Sequence, residues 1–281
     1  MSTPPRAPGL PRNTWIALGV VVVYVLLAAG LGNVLDGLAP EDDVRAQFAL
    51  GHLIPLPIAI ALVLLFLRVA RWGRSVWRET PTPALTPRRW WLVSIPVLAV
   101  LVPISQLDTV PWGARSVWFL ALIALGTLLV GFGEELVLRG VLLTAVRERH
   151  GEFVTMLVTA VVFGLAHAPG SLIAGVPPAF VLFQVGALVG TGVAYYWVRR
   201  VTGRIWVGML VHAFTDWVLY VASDAGTPTA ALTVGTGDLG GSAFTAVVSV
   251  LLLLATLVSV VSVIREDRRT RRDSKYGRPA P

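Results

Sequence analysis

Gly131-Phe132-Gly133-Glu134-Glu135-Leu136-Val137-Leu138-Arg139-Gly140 sets two carboxylates and a guanidinium directly after an apolar run, Val117 to Val130. A membrane-crossing helix would still be under way at that point. An ionisable group within a membrane span costs about 3 kcal/mol even on a lenient scale, so such groups are functional-site candidates by default. On a helix, Glu135 and Arg139 are one turn apart and can pair, whereas Glu134 points about 100° away from them. One carboxylate is then tied to a cation and the other is left free. The competing reading is a charged helix end at the lipid headgroups, and the rest of the chain decides between the two.

Of the 281 residues, 55% are hydrophobic and only 14% charged. A soluble protein carries about 25% charged residues. Apolar runs long enough to cross ~30 Å of hydrocarbon recur along the whole length. The fold expected is all-α, a polytopic membrane protein of about eight transmembrane helices with a polar site within the bundle. The net charge of +7 does not signal nucleic acid, because the arginines lie between apolar runs rather than on one soluble face. With no cysteine there is no disulfide framework, thiol nucleophile or cysteine-ligated metal.

Residues 1–13 read as a disordered basic tail. The first span, Trp15 to about Leu35, is too long for a signal-peptide core and reads as retained. An acidic loop (Asp36, Glu41, Asp42, Asp43) leads to a second span, about Gln47 to Val69, and then to an arginine-rich segment over 68–89. Pro81, Pro83 and Pro87 are expected to keep that segment extended. Further spans follow at about Trp90–Leu107, Ser116–Arg149, Phe153–His167, Ala179–Val198, Ile205–Val221 and Ser242–Ile264. An uncharged loop is expected between Pro169-Gly170 and Pro177-Pro178, and a polar loop rich in Gly and Thr from Ala222 to Gly241. The domain plan is thus a membrane domain over 14–264 between the 1–13 tail and a basic tail over 265–281. Basic segments (the N-terminus, 68–89, 139–149, 199–204 and the C-terminus) alternate with acidic or nearly uncharged loops. The positive-inside rule then puts both termini in the cytoplasm. Arginine far above lysine, with much Ala, Gly and Val, suits a high-GC bacterium, hence a bacterial plasma membrane.

Two more polar clusters lie in apolar helices. Phe163-Gly164-Leu165-Ala166-His167 ends the fifth span. Glu134 is 16 residues before His150 and His167 is 16 after Gly151, where the chain turns back. In an antiparallel hairpin the two sit at one height, about 25 Å from the turn at 1.5 Å per residue. They can share a water there. In the seventh span, His212 and Asp216 are four apart and share a helix face. A bland histidine at an interface and a buried His–Asp hydrogen bond are the ordinary readings, and three clusters together favour one shared cavity. His52 and His150 read as ordinary.

These side chains suit hydrolysis by activated water. In one version Glu134 is the general base, His167 orients the water, and His212 with Asp216 stabilises the developing oxyanion. In the other, Zn²⁺ is held by His167, His212 and a carboxylate, Glu134 or Asp216, and lowers the pKa of its water. The zincin pattern of two histidines four apart around a glutamate is absent.

Glu134-Glu135-x-x-x-Arg139, then Phe163-x-x-x-His167, then His212-x-x-x-Asp216 resembles the CPBP family of intramembrane proteases. This family takes in type II CAAX prenyl endopeptidases and the bacteriocin-processing or self-immunity (Abi) proteins. The resemblance covers about residues 116–220. It implies catalytic roles for Glu134, His167, His212 and residue 216, support from Glu135 and Arg139, and a cavity opening toward the cytoplasm. Family members often carry asparagine at the last position. An ionised Asp216 cannot donate to an oxyanion, so it is protonated, orients His212, or binds a metal. The favoured mechanism needs no cofactor, with zinc as the alternative. The expected partners are membrane lipids and a membrane-associated or lipidated protein or peptide substrate, with no nucleic acid. The rival readings are a non-catalytic scaffold or bacteriocin-immunity protein, and an ion-coupled transporter. Inverted repeats would mark the transporter, and no matching halves occur.

Overall fold

A computed structural model describes residues 9–85, 87–223 and 242–275. Among these residues there is no strand beyond one isolated bridge, Arg78 to Arg204, and eight helices are long and apolar enough to cross a membrane. The chain is therefore a multi-pass membrane protein. We label the helices α1 (Thr14–Asp36), α2 (Val44–Ala70), α3 (Trp90–Thr109), α4 (Val117–Arg147), α5 (Glu152–Ile173), α6 (Pro178–Thr202), α7 (Ile205–Ala222) and α8 (Ala243–Lys275). The expected 1–13 tail and the 222–241 loop lie largely outside the described residues.

The helix starts follow from local chemistry. Asn13, Asp43 and Ser116 each lend a side-chain oxygen to a free N–H in the first turn of α1, α2 and α4. The α6–α7 turn closes on Gly203 at φ +67, a left-handed conformation that glycine takes at no steric cost. Two helices widen into π turns, over Leu26–Leu31 in α1 and Leu136–Leu142 in α4. α2 bends at Ile54, since Pro55 lacks an N–H and restricts the residue before it.

Three expectations need correction. α5 does not stop before Pro169 but runs on to Ile173. A proline removes only one ladder bond, which a membrane helix tolerates when its neighbours supply packing. The 71–89 segment is not extended throughout. It forms a helical turn at Gly73–Trp77 and a 3₁₀ turn at Thr82–Ala84, with Val76 and Thr82 fully buried. The chain also does not leave the bundle at Arg265, because α8 continues to Lys275. Asp267 explains this: its carboxylate accepts the Glu152 and Phe153 N–H groups at 2.8 and 3.0 Å, capping α5 from another helix. Glu266 adds pairs to Arg89 at 2.8 Å and Arg200 at 3.1 Å.

The closest packing joins α5 to α6 and α4 to α7. At the second of these contacts, Gly131 faces the α7 backbone, and a Cβ there would sit 2.5 Å from the Met209 carbonyl oxygen and 2.8 Å from the Ala213 nitrogen. Backbone atoms cannot step aside. Gly131→Leu is therefore expected to force α4 from α7 and to cost about 1–3 kcal/mol, read as an earlier unfolding midpoint of the purified protein in detergent.

Candidate active site

The close α4–α7 approach carries the charged decapeptide against the middle of α7. Glu135 and Arg139 are both fully buried and paired at 2.9 Å. Arg139 also donates to the Gly192 carbonyl of α6 at 3.1 Å. Its guanidinium lies over the Phe163 ring at 4.5 Å and near the Tyr195 ring at 5.4 Å. The π turn begins directly after Glu135. Such single wide turns recur at functional sites, and here the widened segment carries Arg139 across its paired carboxylate.

Glu134 points elsewhere, as the helix geometry requires. Its Oε2 lies 3.8 Å from His167 Nε2 and 4.0 Å from His212 Nε2. Both distances exceed a hydrogen bond, and Glu134 Oε2 has no hydrogen-bond partner. The His167 ring is fixed by its other nitrogen, Nδ1, which lies 2.8 Å from the Phe163 carbonyl. A carbonyl only accepts, so Nδ1 carries a proton, and Nε2 is the nitrogen turned toward Glu134. His212 lies flat on Tyr195, with ring centres 4.7 Å apart. Its Nδ1 faces Glu135 Oε1 at 3.3 Å and its Nε2 faces Asp216 Oδ2 at 3.4 Å. All six residues singled out in the sequence are thus brought together, in two layers. Glu134, His167, His212 and Asp216 line a cavity, and Glu135 with Arg139 lies behind them.

The candidate metal ligands are His167, His212, Glu134 and Asp216. Among the described residues no three His, Asp or Glu side chains are arranged to hold a metal ion.

The cavity measures about 550 Å³. Its walls come from the later parts of α1, α3, α5 and α7, the early part of α2, the middle of α4, and Gln184 to Tyr195 of α6. It therefore extends toward the bundle end that carries the 37–43 and 174–177 turns. The opposite end is filled. Every residue from Leu136 to Val146 is buried. Arg199 of α6 is buried there too, donating to the carbonyls of Ser75 at 2.7 Å, Val76 at 3.0 Å and Arg139.

Sequence reasoning missed Tyr24 and Tyr195, whose rings sit among the polar groups, because nothing local marks a tyrosine in an apolar run. It read Arg199 as a topology marker, although the residue is 1% exposed. His52, taken as ordinary, lines the cavity with its Nδ1 on the Phe48 carbonyl at 3.0 Å.

Residues 116–218 match the family model of the type II CAAX prenyl endopeptidase, Rce1-like. The match covers the stretch that carries the three motifs and bears out the resemblance read from them. Neither the comparison with curated proteins nor that with solved structures gives a match.

Leaving one member of a buried ion pair alone is costly. Arg139→Met is expected to destabilise the protein by about 3–5 kcal/mol, and Glu135→Gln added to it to recover at least about half, in denaturant unfolding of the purified variants.

Proposed function

We propose that the Rce1-like segment makes this chain an intramembrane endopeptidase in which Glu134 and His167 activate water against a peptide bond. The observation that carries the reading is the approach of Glu134 Oε2 and His167 Nε2, 3.8 Å apart, from two residues that line the cavity. A water donating one hydrogen to each is held with its lone pair free. Its oxygen attacks the scissile carbonyl carbon, the carbonyl π pair moves onto oxygen, and Glu134 takes the water proton. Collapse of the tetrahedral intermediate breaks the C–N bond, and the proton passes from Glu134 to the departing amine. The products are a new carboxyl terminus and a new amino terminus.

The supporting groups have separable roles in this scheme. His212 holds a position 4.0 Å from the base, beside the reacting carbon. Asp216 accepts from His212 and orients it, the role left to an aspartate that cannot itself donate. Glu135 and Arg139 form the fixed wall that sets the height of Glu134. The substrate is a membrane-associated protein or peptide whose cleaved bond reaches the cavity floor.

The composition favours a bacterial plasma membrane, and the basic segments favour both termini in the cytoplasm. The cavity then opens on the opposite face, against the cytoplasmic opening that the family resemblance implies. Because the chain has no cysteine, single cysteines can test this directly. Asp42→Cys is expected to react with an impermeant maleimide on intact cells, and Arg74→Cys only after the cells are opened. The reverse pattern would invert the topology.

Wild-type and Glu134→Gln proteins, each incubated with host membrane proteins in lipid, are compared for new peptide termini by mass spectrometry. Termini are expected from wild type alone, reduced at least about 100-fold in the variant, and persisting in a zinc chelator. Equal termini from both would overturn the protease reading, and loss in chelator would overturn the metal-free one.

A further inference from the structure

In the cavity, the donor that the mechanism most needs is missing from the residues that the sequence motifs supply. The oxygen of the attacked carbonyl gains negative charge and requires an N–H or O–H aimed at it. Both nitrogens of His212 face carboxylates, Nδ1 toward Glu135 at 3.3 Å and Nε2 toward Asp216 at 3.4 Å. An ionised Asp216 only accepts. Hydroxyls of the wall are engaged as well, Ser171 donating to Gln184 Oε1 at 2.7 Å and Thr215 to the Val211 carbonyl at 2.9 Å, and Asn33 spends one of its two N–H groups on the Ala29 carbonyl at 2.6 Å.

Tyr24 of α1 differs from all of these. It is 4% exposed, lines the cavity, and its hydroxyl has no hydrogen-bond partner. Three buried hydroxyls lack a partner among the described residues, those of Thr14, Tyr24 and Ser75, and of these three residues Tyr24 alone lines this cavity. The phenol is also placed with care. It lies against Gly133, the residue before the proposed base, where any Cβ would collide with the hydroxyl oxygen. The glycine thus gives the ring its seat, one residue before Glu134. A native interior seldom leaves a polar group unpaired without a functional reason.

We infer that the Tyr24 hydroxyl is a further catalytic group of this site, donating a hydrogen bond to the scissile carbonyl oxygen as it becomes an oxyanion. The assignment rests on the protease reading above. In the attack step the water oxygen bonds to the carbonyl carbon, Glu134 receives the water proton, and the electron pair released onto the carbonyl oxygen is stabilised by the Tyr24 O–H, which keeps its own proton. The same hydrogen bond loosens when the C=O bond reforms and the amine leaves. Tyr24 thereby supplies from α1 what an asparagine at position 216 would have offered from α7.

The test uses a synthetic peptide spanning one cleavage site found with the wild-type protein in lipid. Tyr24→Phe keeps the ring on Gly133 and removes only the oxygen, so its unfolding midpoint is expected to match wild type. Its kcat is expected to fall about 100-fold, the usual effect of deleting one oxyanion donor, with KM changed less than about twofold. A kcat within about threefold of wild type would overturn the assignment, as would a rise in KM alone, which marks ground-state binding. In either case cleavage that still depends on Glu134 leaves the protease reading standing. If wild type yields no Glu134-dependent termini, that reading falls and the Tyr24 assignment falls with it.

Discussion

The Glu135–Arg139 pair is the constraint around which the other parts are arranged. Two opposite charges with no exposure at all, inside a membrane span, are tolerable only when each is held from several sides. The structure supplies those sides from three neighbouring helices. α6 offers the Gly192 carbonyl and the Tyr195 ring, α5 the Phe163 ring, and α7 the imidazole of His212. Helices that must all meet at one guanidinium have little freedom in register. The pair therefore sets the height and rotation of α4 against its neighbours, and the height of Glu134 follows from it.

Much of this arrangement was legible in the chain. The i,i+4 spacing of Glu135 and Arg139, and of His212 and Asp216, is a local property of a helix, and both pairs meet as the spacing requires. The equal depth of Glu134 and His167 came from counting back from a turn. That works because α4 and α5 are antiparallel neighbours joined by only four residues, Glu148 to Gly151. The family match over 116–218 falls on this same locally readable stretch.

The rest depends on contacts that no local pattern encodes. Tyr24 is more than a hundred residues from Gly133, which it lies against, and a phenol in an apolar run looks like any interfacial aromatic. Arg199 and Arg200 look like loop charges, yet both are buried, because carbonyls of the 73–77 turn and acids of α5 and α8 come to meet them. Asp267 belongs by composition to a basic tail and in space to the start of α5. Apolar periodicity counts membrane helices well. It says nothing of which ones adjoin, or of how far a helix runs once its residues are polar and its end is held by a partner.

The two halves of the bundle are built differently, and this bears on the membrane as a barrier. Hydrolysis beneath the lipid surface needs water at depth, and a water-filled shaft through the bilayer would dissipate the ion gradients that the membrane maintains. Here the recess ends on the buried layer from Leu136 to Val146, where Arg139 and Arg199 donate to backbone carbonyls. On the protease reading, the packed half is then more than a scaffold for the site, since it closes the hydrolytic recess against the far side of the membrane.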